Sequence, residues 1–176
     1  MAIAAHETAS TELPMDTGVD RDHRRELATE LGKALASCYV LYHKTHAYHW
    51  NITGPLFYSV HKLTDEQYED IAKAIDDIAE RIRSIGFAAP TGLGNYLQES
   101  IIEDAPGIKS AGDMIKELAE DNQAVARQLR PIIHKAEEVE DVYTADLLTA
   151  RIGAHEEASW MLNALVVDKL ESAAAA

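Results

Sequence analysis

Apolar residues recur at three- and four-residue steps along most of the chain, which is the period of an amphipathic α-helix. Four long stretches show this period, at residues 22–50, 58–85, 110–139 and 142–170. In the first stretch the apolar stripe consists of Leu27, Leu31, Leu35, Cys38, Tyr42 and Thr45. No alternating strand pattern of useful length lies between the stretches. The pattern therefore predicts an all-α protein.

The connections between these helices differ in length, and the difference predicts the topology. Short turns follow the first and third helices, whereas residues 87–109 form a long crossover rich in Pro and Gly. A short helix is expected inside this crossover at residues 96–102. Four long helices with one long crossover between the second and third describe a ferritin-like four-helix bundle rather than a simple up-and-down bundle.

The helical pattern defines one domain, at residues 21–171, with a non-helical segment on either side. Residues 1–20 contain Glu7, Glu12, Asp16 and Asp20 without any Lys or Arg, so we expect an acidic, flexible N-terminal tail. Residues 172–176 are expected to form a short C-terminal tail. A single domain also fits the length of 176 residues.

The net charge of the chain narrows the classes of molecule that it is expected to bind. The chain has 16 Lys and Arg residues against 30 Asp and Glu residues, which gives a net charge of −14. Such a charge repels nucleic acid and anionic lipid and attracts small cations. An acidic, lysine-poor surface suits a salt-rich cytosol, and an acidic shell that handles cations would have the same composition. Composition alone leaves both explanations open.

Compartment and metal chemistry are limited by two further features. The chain contains no run of about 18 apolar residues and no basic N-terminal region followed by an apolar one, so we expect neither a membrane span nor a secretory signal. A cytoplasmic location is therefore predicted. Cys38 is the only cysteine, which excludes an intrachain disulfide and a thiolate metal cluster. Any metal ion must be bound by His, Asp and Glu.

Three histidines of the first helix fall on different faces. At about 100° per residue, His49 lies near the centre of the apolar stripe, His46 at its edge and His43 on the solvent side. A buried histidine needs a partner, and for His49 taken alone a hydrogen-bonded core residue is a simpler explanation than a ligand role. His155 in the fourth helix is also in phase with the core, but it has no comparable acidic set around it. We interpret His155 as structural.

The second helix carries four potential metal ligands on one stripe that borders its core face: His61, Asp65, Asp76 and Glu80. Charged runs are usually solvated faces, and the opposite side of this helix carries such a run. Nitrogen and carboxylate ligands without sulfur suit Fe(II), Mn(II) or Zn(II), and open coordination positions favour iron oxidation chemistry. A metal site and an unusual charged edge both fit this pattern.

Helix geometry limits how such a site can be built. His61 and Asp76 are fifteen residues apart, which corresponds to about 22 Å along one helix. They cannot share an ion within one chain. A two-fold partner that packs this helix antiparallel to its copy would bring the two ends together. The chain also lacks the Glu-x-x-His motif of conventional di-iron bundles. The pattern therefore favours a site between subunits.

Four short motifs in the chain are specific enough to indicate a family. They are His49-Trp50-Asn51 followed by Gly54, Ser59-Val60-His61 with Asp65, Asp76-Asp77-Ile78-Ala79-Glu80-Arg81, and Tyr143-Thr144-Ala145-Asp146. With these motifs, residues 22–170 resemble the Dps family of mini-ferritins, the DNA-binding proteins from starved cells. The resemblance implies a dodecameric hollow shell with ferroxidase centres between two-fold-related subunits. There Fe(II) would be oxidised by hydrogen peroxide, or more slowly by dioxygen, and stored inside as ferric oxide-hydroxide.

The resemblance also implies roles for individual residues. The family's ferroxidase ligands are matched by His49, His61 and Asp65 of one subunit together with Asp76 and Glu80 of its neighbour. Trp50 matches the family tryptophan near the iron, where an oxidisable ring would intercept radicals. A packing aromatic at the subunit interface explains Trp50 equally well.

Three further acidic residues are candidates for handling iron. In family members, carboxylates near the start of the fourth helix line three-fold pores that admit Fe(II), and Asp141 and Asp146 are the candidates here. Carboxylates are favoured at a helix N-terminus in any case, which is the simpler explanation. Glu69 lies on the ligand stripe and is a candidate mineral-nucleation residue facing the cavity.

One departure from the family concerns DNA. DNA-binding members carry Lys- or Arg-rich tails, whereas this N-terminal tail is acidic. Since counterion release needs positive groups near phosphate, we do not expect DNA binding. The sequence thus favours an iron-storage and detoxifying ferroxidase. The alternatives are a DNA-compacting nucleoid protein of the same fold and a purely structural acidic bundle.

Overall fold

A computed structural model describes residues 12–166, and five helices account for most of them. They are α1 (Arg21–Asn51), α2 (Phe57–Ser84), α3 (Leu93–Glu99), α4 (Ala111–Glu138) and α5 (Val142–Ala164). No strand occurs in this part of the chain. The four long helices form the bundle, and α3 lies in the crossover between α2 and α4. The predicted all-α, ferritin-like four-helix bundle with a long crossover is confirmed.

The core of the bundle is built from the stripe that the periodicity predicts. Leu27, Leu31, Leu35 and Cys38 of α1 are completely or almost completely buried. They pack in one cluster with buried residues of α2, α4 and α5, such as Ile78, Leu118 and Leu162. Burial of a Leu or Ile side chain contributes about 1.5–3 kcal/mol, so this cluster dominates the stability of the bundle.

The tight connection between α1 and α2 determines where the histidines lie. Ile52 is extended and its N–H donates to Tyr48 O at 2.9 Å, which ends α1. Gly54 then adopts a φ of +93°, a conformation that L-residues with a side chain rarely adopt. The chain reverses there, and α2 begins at Phe57. The last turn of α1 therefore lies beside the first turn of α2.

The short crossover helix lies three residues earlier than predicted, at Leu93–Glu99 rather than residues 96–102. It begins after Gly92, whose φ is +95°. It ends at Glu99, because the hydroxyl of the following Ser100 accepts a hydrogen bond from Ile102 N–H and donates one to Ile102 O, at 2.9 Å each. Ile101 N–H donates to Ser37 Oγ of α1 at 3.2 Å. These bonds hold the chain non-helical where the apolar pattern suggested a helix.

The last helix also differs from its prediction, because α5 ends at Ala164 and not at residue 170. Leu165 N–H bonds Leu162 O and Val166 N–H bonds Asn163 O, so the final turn has tightened to three-residue spacing. Residues 167–176, which include the predicted C-terminal tail, lie outside the described residues.

Of the predicted N-terminal tail, residues 1–11 lie outside the described residues, and residues 12–20 contain no helix. Leu13 N–H donates to Gly86 O at 2.8 Å, and Arg21 forms a bidentate ion pair with Glu12, both bonds measuring 2.6 Å. Gly86 has a φ of +104°, and a Cβ there would lie 2.9 Å from Leu13 O. Glycine is thus required where this segment crosses the end of α2.

None of the helices between residues 12 and 166 is long and apolar enough to span a bilayer.

Candidate metal centre

His49 and His61 form a close pair across the turn between α1 and α2. Their rings are stacked, with centroids 3.8 Å apart and planes 19° from parallel. Nδ1 of His49 lies 2.9 Å from the main-chain oxygen of His61, and Nδ1 of His61 lies 3.0 Å from the main-chain oxygen of His49. The two side chains are therefore held by reciprocal bonds to each other's backbone.

These bonds decide which ring nitrogens can bind a metal. A carbonyl oxygen only accepts hydrogen bonds, so each Nδ1 must carry the proton and donate it. In a neutral imidazole, Nε2 then carries a free lone pair. Orientation of a histidine ligand by a backbone carbonyl on its other nitrogen is a common feature of metal sites. Both rings thus present a nitrogen that can coordinate a metal ion.

Asp65 adds a charged oxygen next to this pair. Its Oδ1 lies 3.9 Å from His49 Nε2 and accepts a hydrogen bond of 2.7 Å from the Tyr68 hydroxyl. This hydrogen bond lowers the pKa of Asp65 and raises the pKa of Tyr68 to about 12. Lys62 Nζ is 3.7 Å from the other oxygen. Asp65 is therefore ionised at neutral pH and oriented toward the histidines.

Aromatic rings cover one side of the pair. The His46 ring stacks on Tyr68 at a centroid distance of 4.1 Å and contacts Trp50 at 4.3 Å. Burial, together with the nearby His49 and His43, lowers the pKa of His46, so its ring is neutral at pH 7. Trp50 is 60% exposed in the single chain. The predicted order of exposure is confirmed, since His49 is buried, His46 is half-buried and His43 is exposed.

Asp76 and Glu80 do not join this cluster. Both are exposed on α2, far along the helix from His61. No three of the His, Cys, Asp and Glu residues between positions 12 and 166 are arranged to hold a metal ion within one chain. The chain thus brings together His49, His61 and Asp65, and leaves the other two predicted ligands pointing to solvent.

Asp141, one of the two candidates for a pore, is used inside the chain instead. It is 4% exposed and caps α5, accepting bonds from Thr144 N–H at 3.1 Å and Thr144 Oγ1 at 2.7 Å. Arg81 donates to it at 2.6 Å. Burial acts to raise the pKa of Asp141, but these bonds outweigh it and lower the pKa. The simpler explanation, a helix N-terminus, therefore accounts for Asp141, whereas Asp146 and Glu69 are exposed.

A charged cluster between α1 and α4 was missed by the sequence analysis. Lys44 is almost completely buried and donates to Glu117 at 3.1 Å and to Asp121 at 2.7 Å. The Tyr48 hydroxyl also donates to Glu117, at 2.6 Å. One signal was available, because Lys44 lies in phase with the buried Leu41 and Tyr48 on the apolar stripe.

Comparison with known proteins agrees with this fold. Residues 28–171 match the ferritin-like domain. An uncharacterised low temperature-induced protein of Nostoc is 34% identical over 154 residues, covering 86% of each chain. A DNA protection during starvation protein of Brevibacillus brevis is 35% identical over 140 residues, covering 80% of this chain and 94% of the relative.

A solved structure gives the same result. The Dps protein of Vibrio cholerae O1, described as a member of a broad superfamily of ferritin-like diiron-carboxylate proteins, superposes with a TM-score of 0.82 at 29% identity. The match covers 90% of this chain and 99% of that one. The described helices, the pattern of motifs and these relatives lead to one assignment. The chain has a ferritin-like domain and belongs to the Dps family.

Proposed function

We propose that this protein is an iron-storage and detoxifying ferroxidase that works as a hollow dodecamer. Membership of the Dps family supports iron storage or protection in general. In our proposal Fe(II) is both substrate and cargo: it is oxidised by hydrogen peroxide, or by dioxygen, and stored as ferric oxide-hydroxide. The observation that carries the proposal is the reciprocal pair of His49 and His61, whose backbone bonds leave both Nε2 atoms free beside ionised Asp65.

The ligands suit Fe(II) rather than a sulfur-preferring ion. Two imidazoles and a carboxylate match the His and carboxylate sets that bind iron with open positions for an oxidant. Tyr68 holds Asp65 in place, so the carboxylate needs little reorganisation when the ion arrives. We propose that Asp76 and Glu80 of a second, two-fold-related chain complete the centre, because both are exposed and too distant to act within the same chain.

This arrangement has a protective consequence. Hydrogen peroxide takes up two electrons to become water, and two Fe(II) ions supply them. Removing Fe(II) and peroxide together suppresses the formation of hydroxyl radicals. Trp50 lies on the exposed side of His46, within reach of radicals that escape. In our proposal it intercepts them, and packing at the subunit interface is the second role that its exposure allows.

The direct test is oxidation of Fe(II) by the assembled protein. Fe(II) with hydrogen peroxide should give a soluble ferric core inside a large assembly, because the centre is complete only between chains. Stopped-flow absorbance follows the oxidation, and size-exclusion chromatography with iron analysis locates the product. Oxidation no faster than in buffer, or a protein that elutes only as a monomer, would contradict the proposal and favour a purely structural bundle.

The competing role in DNA compaction gives a second prediction. At a net charge of −14, the purified, tag-free protein should not retard duplex DNA at about 150 mM salt, because binding depends on positive groups that replace counterions. A gel-shift assay measures this. A retarded band under these conditions would show that the nucleoid role applies, and the titration should include a basic-tailed Dps protein as a positive control.

A further inference from the structure

Six aromatic side chains form a continuous row that leads from the candidate metal centre to the crossover. Four of them are spaced three or four residues apart on one face of α1, namely Tyr39, Tyr42, His46 and Trp50. Tyr68 of α2 packs against Tyr42 and His46, and Tyr96 of α3 packs against Tyr39. We call these six side chains the aromatic row.

Neighbouring rings of the aromatic row lie close enough to exchange electrons. His46 contacts both Trp50 and Tyr68, at centroid distances of 4.3 and 4.1 Å. Tyr42 lies 6.3 Å from Tyr68 and 6.4 Å from Tyr39. Because the rate of electron transfer falls exponentially with the gap between donor and acceptor, several short steps are much faster than one long step. The rings of the four tyrosines therefore form a path for electrons.

The near end of the row touches a proposed iron ligand. The Tyr68 hydroxyl donates to Asp65 Oδ1 at 2.7 Å. Packing alone explains aromatic rings on one helix face, but it does not explain why the first phenol of the row is bonded to this carboxylate. A phenol loses an electron readily only when a base takes its proton, and Asp65 Oδ1 is placed to take it. Tyr68 is therefore the natural electron donor to the metal centre.

The far end of the row borders a cavity of about 410 Å³. The rings of Tyr39, Tyr42 and Tyr96 line this cavity together with His43 and Asp104. Imidazole and carboxylate groups are the usual proton acceptors of proteins. Tyr39 lies ten residues before His49, which is about 15 Å along α1. An oxidising equivalent at this end is thus well separated from the histidine ligands.

We propose that the aromatic row carries single oxidising equivalents from the metal centre to the stacked pair of Tyr39 and Tyr96. The proposal rests on the ferroxidase function proposed above. It applies when hydrogen peroxide meets a centre that holds only one Fe(II), because peroxide needs two electrons to become water. The iron supplies one electron and Tyr68 supplies the other. One peroxide, one Fe(II), one tyrosine and one proton then give Fe(III), a tyrosyl radical and two water molecules.

The electron vacancy then moves away from the iron in steps. The Tyr68 proton shifts to Asp65 as the electron leaves, and it returns when Tyr42 passes an electron to Tyr68. Tyr39 reduces Tyr42 in the same way. The vacancy stops on Tyr39 and Tyr96, whose rings stack at 4.7 Å, and the phenol proton passes to the bases or the solvent of the cavity.

This path would protect the metal centre itself. Peroxide that receives a single electron releases a hydroxyl radical, which would form beside His49 and His61. An electron from Tyr68 completes the reduction to water before such a radical is released. The damage is then confined to a phenol that an electron donor can restore.

Spin trapping tests where the radical comes to rest. The assembled protein receives Fe(II) at less than one ion per centre and then hydrogen peroxide, in the presence of a nitroso spin trap. Electron paramagnetic resonance measures the trapped radical, and peptide mass spectrometry identifies the residue that carries it. Tyr39 and Tyr96 should carry the trap. Radicals that strike at random would instead mark the most exposed aromatic residues, Tyr58, Tyr143 and Trp160, which are 72%, 62% and 66% exposed. That distribution would overturn the proposal.

Matched tyrosine variants test the path. Tyr42→Phe removes one hydroxyl and keeps the ring, so the fold should be preserved, and the trap should move from Tyr39 and Tyr96 to Tyr68. Tyr39→Phe is a second interruption and should leave the radical on Tyr42. Tyr58→Phe is the control, since Tyr58 lies outside the row, and it should give the wild-type distribution. Trapping on Tyr39 and Tyr96 that is unchanged in Tyr42→Phe would overturn the proposal.

Iron oxidation in the same samples separates this proposal from the ferroxidase function. With two Fe(II) ions per centre, Tyr42→Phe should oxidise iron at the wild-type rate, because iron then supplies both electrons. Oxidation of Fe(II) by the wild type without any trapped tyrosine would overturn the aromatic row and leave the ferroxidase function standing. Absence of both oxidation and radical would overturn the two proposals together.

Discussion

Rapid oxidation of Fe(II) should return when two inactive variants of this protein are assembled together. The first variant carries His61→Ala with Asp65→Ala, and the second carries Asp76→Ala with Glu80→Ala. Each variant alone should lose the rapid phase, because every centre then lacks two ligands. In a mixed two-fold pair, one centre combines the substituted residues of both chains, whereas the other combines the intact residues of both. That second centre should be active.

The expected recovery can be given as a fraction. If the chains pair at random from an equal mixture, half of the pairs are mixed and each contains one intact centre, so activity should reach about one quarter of the wild-type value. If each chain instead held a whole centre, every centre would remain damaged and the mixture would stay inactive. Stopped-flow measurement of Fe(II) oxidation after unfolding and co-assembly distinguishes these results.

A second mixture provides the control. Wild-type chains are co-assembled with chains that carry all four substitutions. For a shared centre, only pairs of two wild-type chains are active, which again gives about one quarter of the wild-type activity, whereas a centre within one chain gives about one half. A mass tag on one type of chain verifies that the chains have mixed. Verified mixing without recovery in the first mixture would refute the shared centre.

The sequence predicts the fold well because the fold depends on period and spacing. The apolar stripes of the four long helices and the long crossover are properties of local sequence, and they lead to the bundle without any side-chain detail. The predicted ends of α3 and α5 were wrong, because single hydrogen bonds determine where these two helices end. Ser100 ends α3 through bonds to Ile102, and three-residue spacing at Leu165 and Val166 ends α5. Such bonds are absent from a hydropathy pattern.

Part of the candidate site could also be predicted, because the angular position and the rise of residues on a helix follow from local sequence. Angular positions on a helix place His49 in the core, and the helix rise separates His61 from Asp76 by about 22 Å. Neither quantity reveals that the turn at Gly54 brings His49 and His61 into ring contact. The carbonyl bonds that orient the rings, and the bond from Tyr68 to Asp65, require three-dimensional coordinates. Residue types were therefore predictable, whereas tautomers and orientation were not.

Asp141 is a residue whose role the sequence alone cannot decide. Its position just before a helix fits both a pore and an N-cap, and sequence alone offers no way to choose. The decisive partner is Arg81, which is sixty residues away in the sequence. Lys44 was missed for a similar reason, since Glu117 and Asp121 lie on another helix. Long-range ion pairs are set by packing, and only the packed structure shows which charges are neutralised.

The buried cluster around Lys44 leads to the largest expected effect on stability. Lys44→Met should lower the free energy of unfolding by about 3–5 kcal/mol at pH 7, because it leaves Glu117 and Asp121 partly buried without this cation. Chemical denaturation, with wild type and variant at equal protein concentration, measures the loss. The triple variant Lys44→Met, Glu117→Gln, Asp121→Asn is the control. It removes both charges together with the cation and should regain most of the loss.

The loss caused by Lys44→Met should shrink in acid. Burial acts to raise the pKa of Glu117, but bonds from Lys109, Tyr48 and Lys44 outweigh it and lower the pKa to about 2. Because this value lies below the ordinary 4.5, the stability that ionised Glu117 contributes is complete above pH 4.5 and is lost as the pH falls toward 2.

Burial raises the pKa of Asp121 despite Lys44, so Asp121 becomes neutral at a higher pH than Glu117 does. Protonation of both carboxylates removes the need for a cation, so the gap between wild type and Lys44→Met should narrow as the pH falls from 4.5 toward 2. A gap of the same size at pH 3 and pH 7 would show that Lys44 stabilises the bundle by packing and not by its charge.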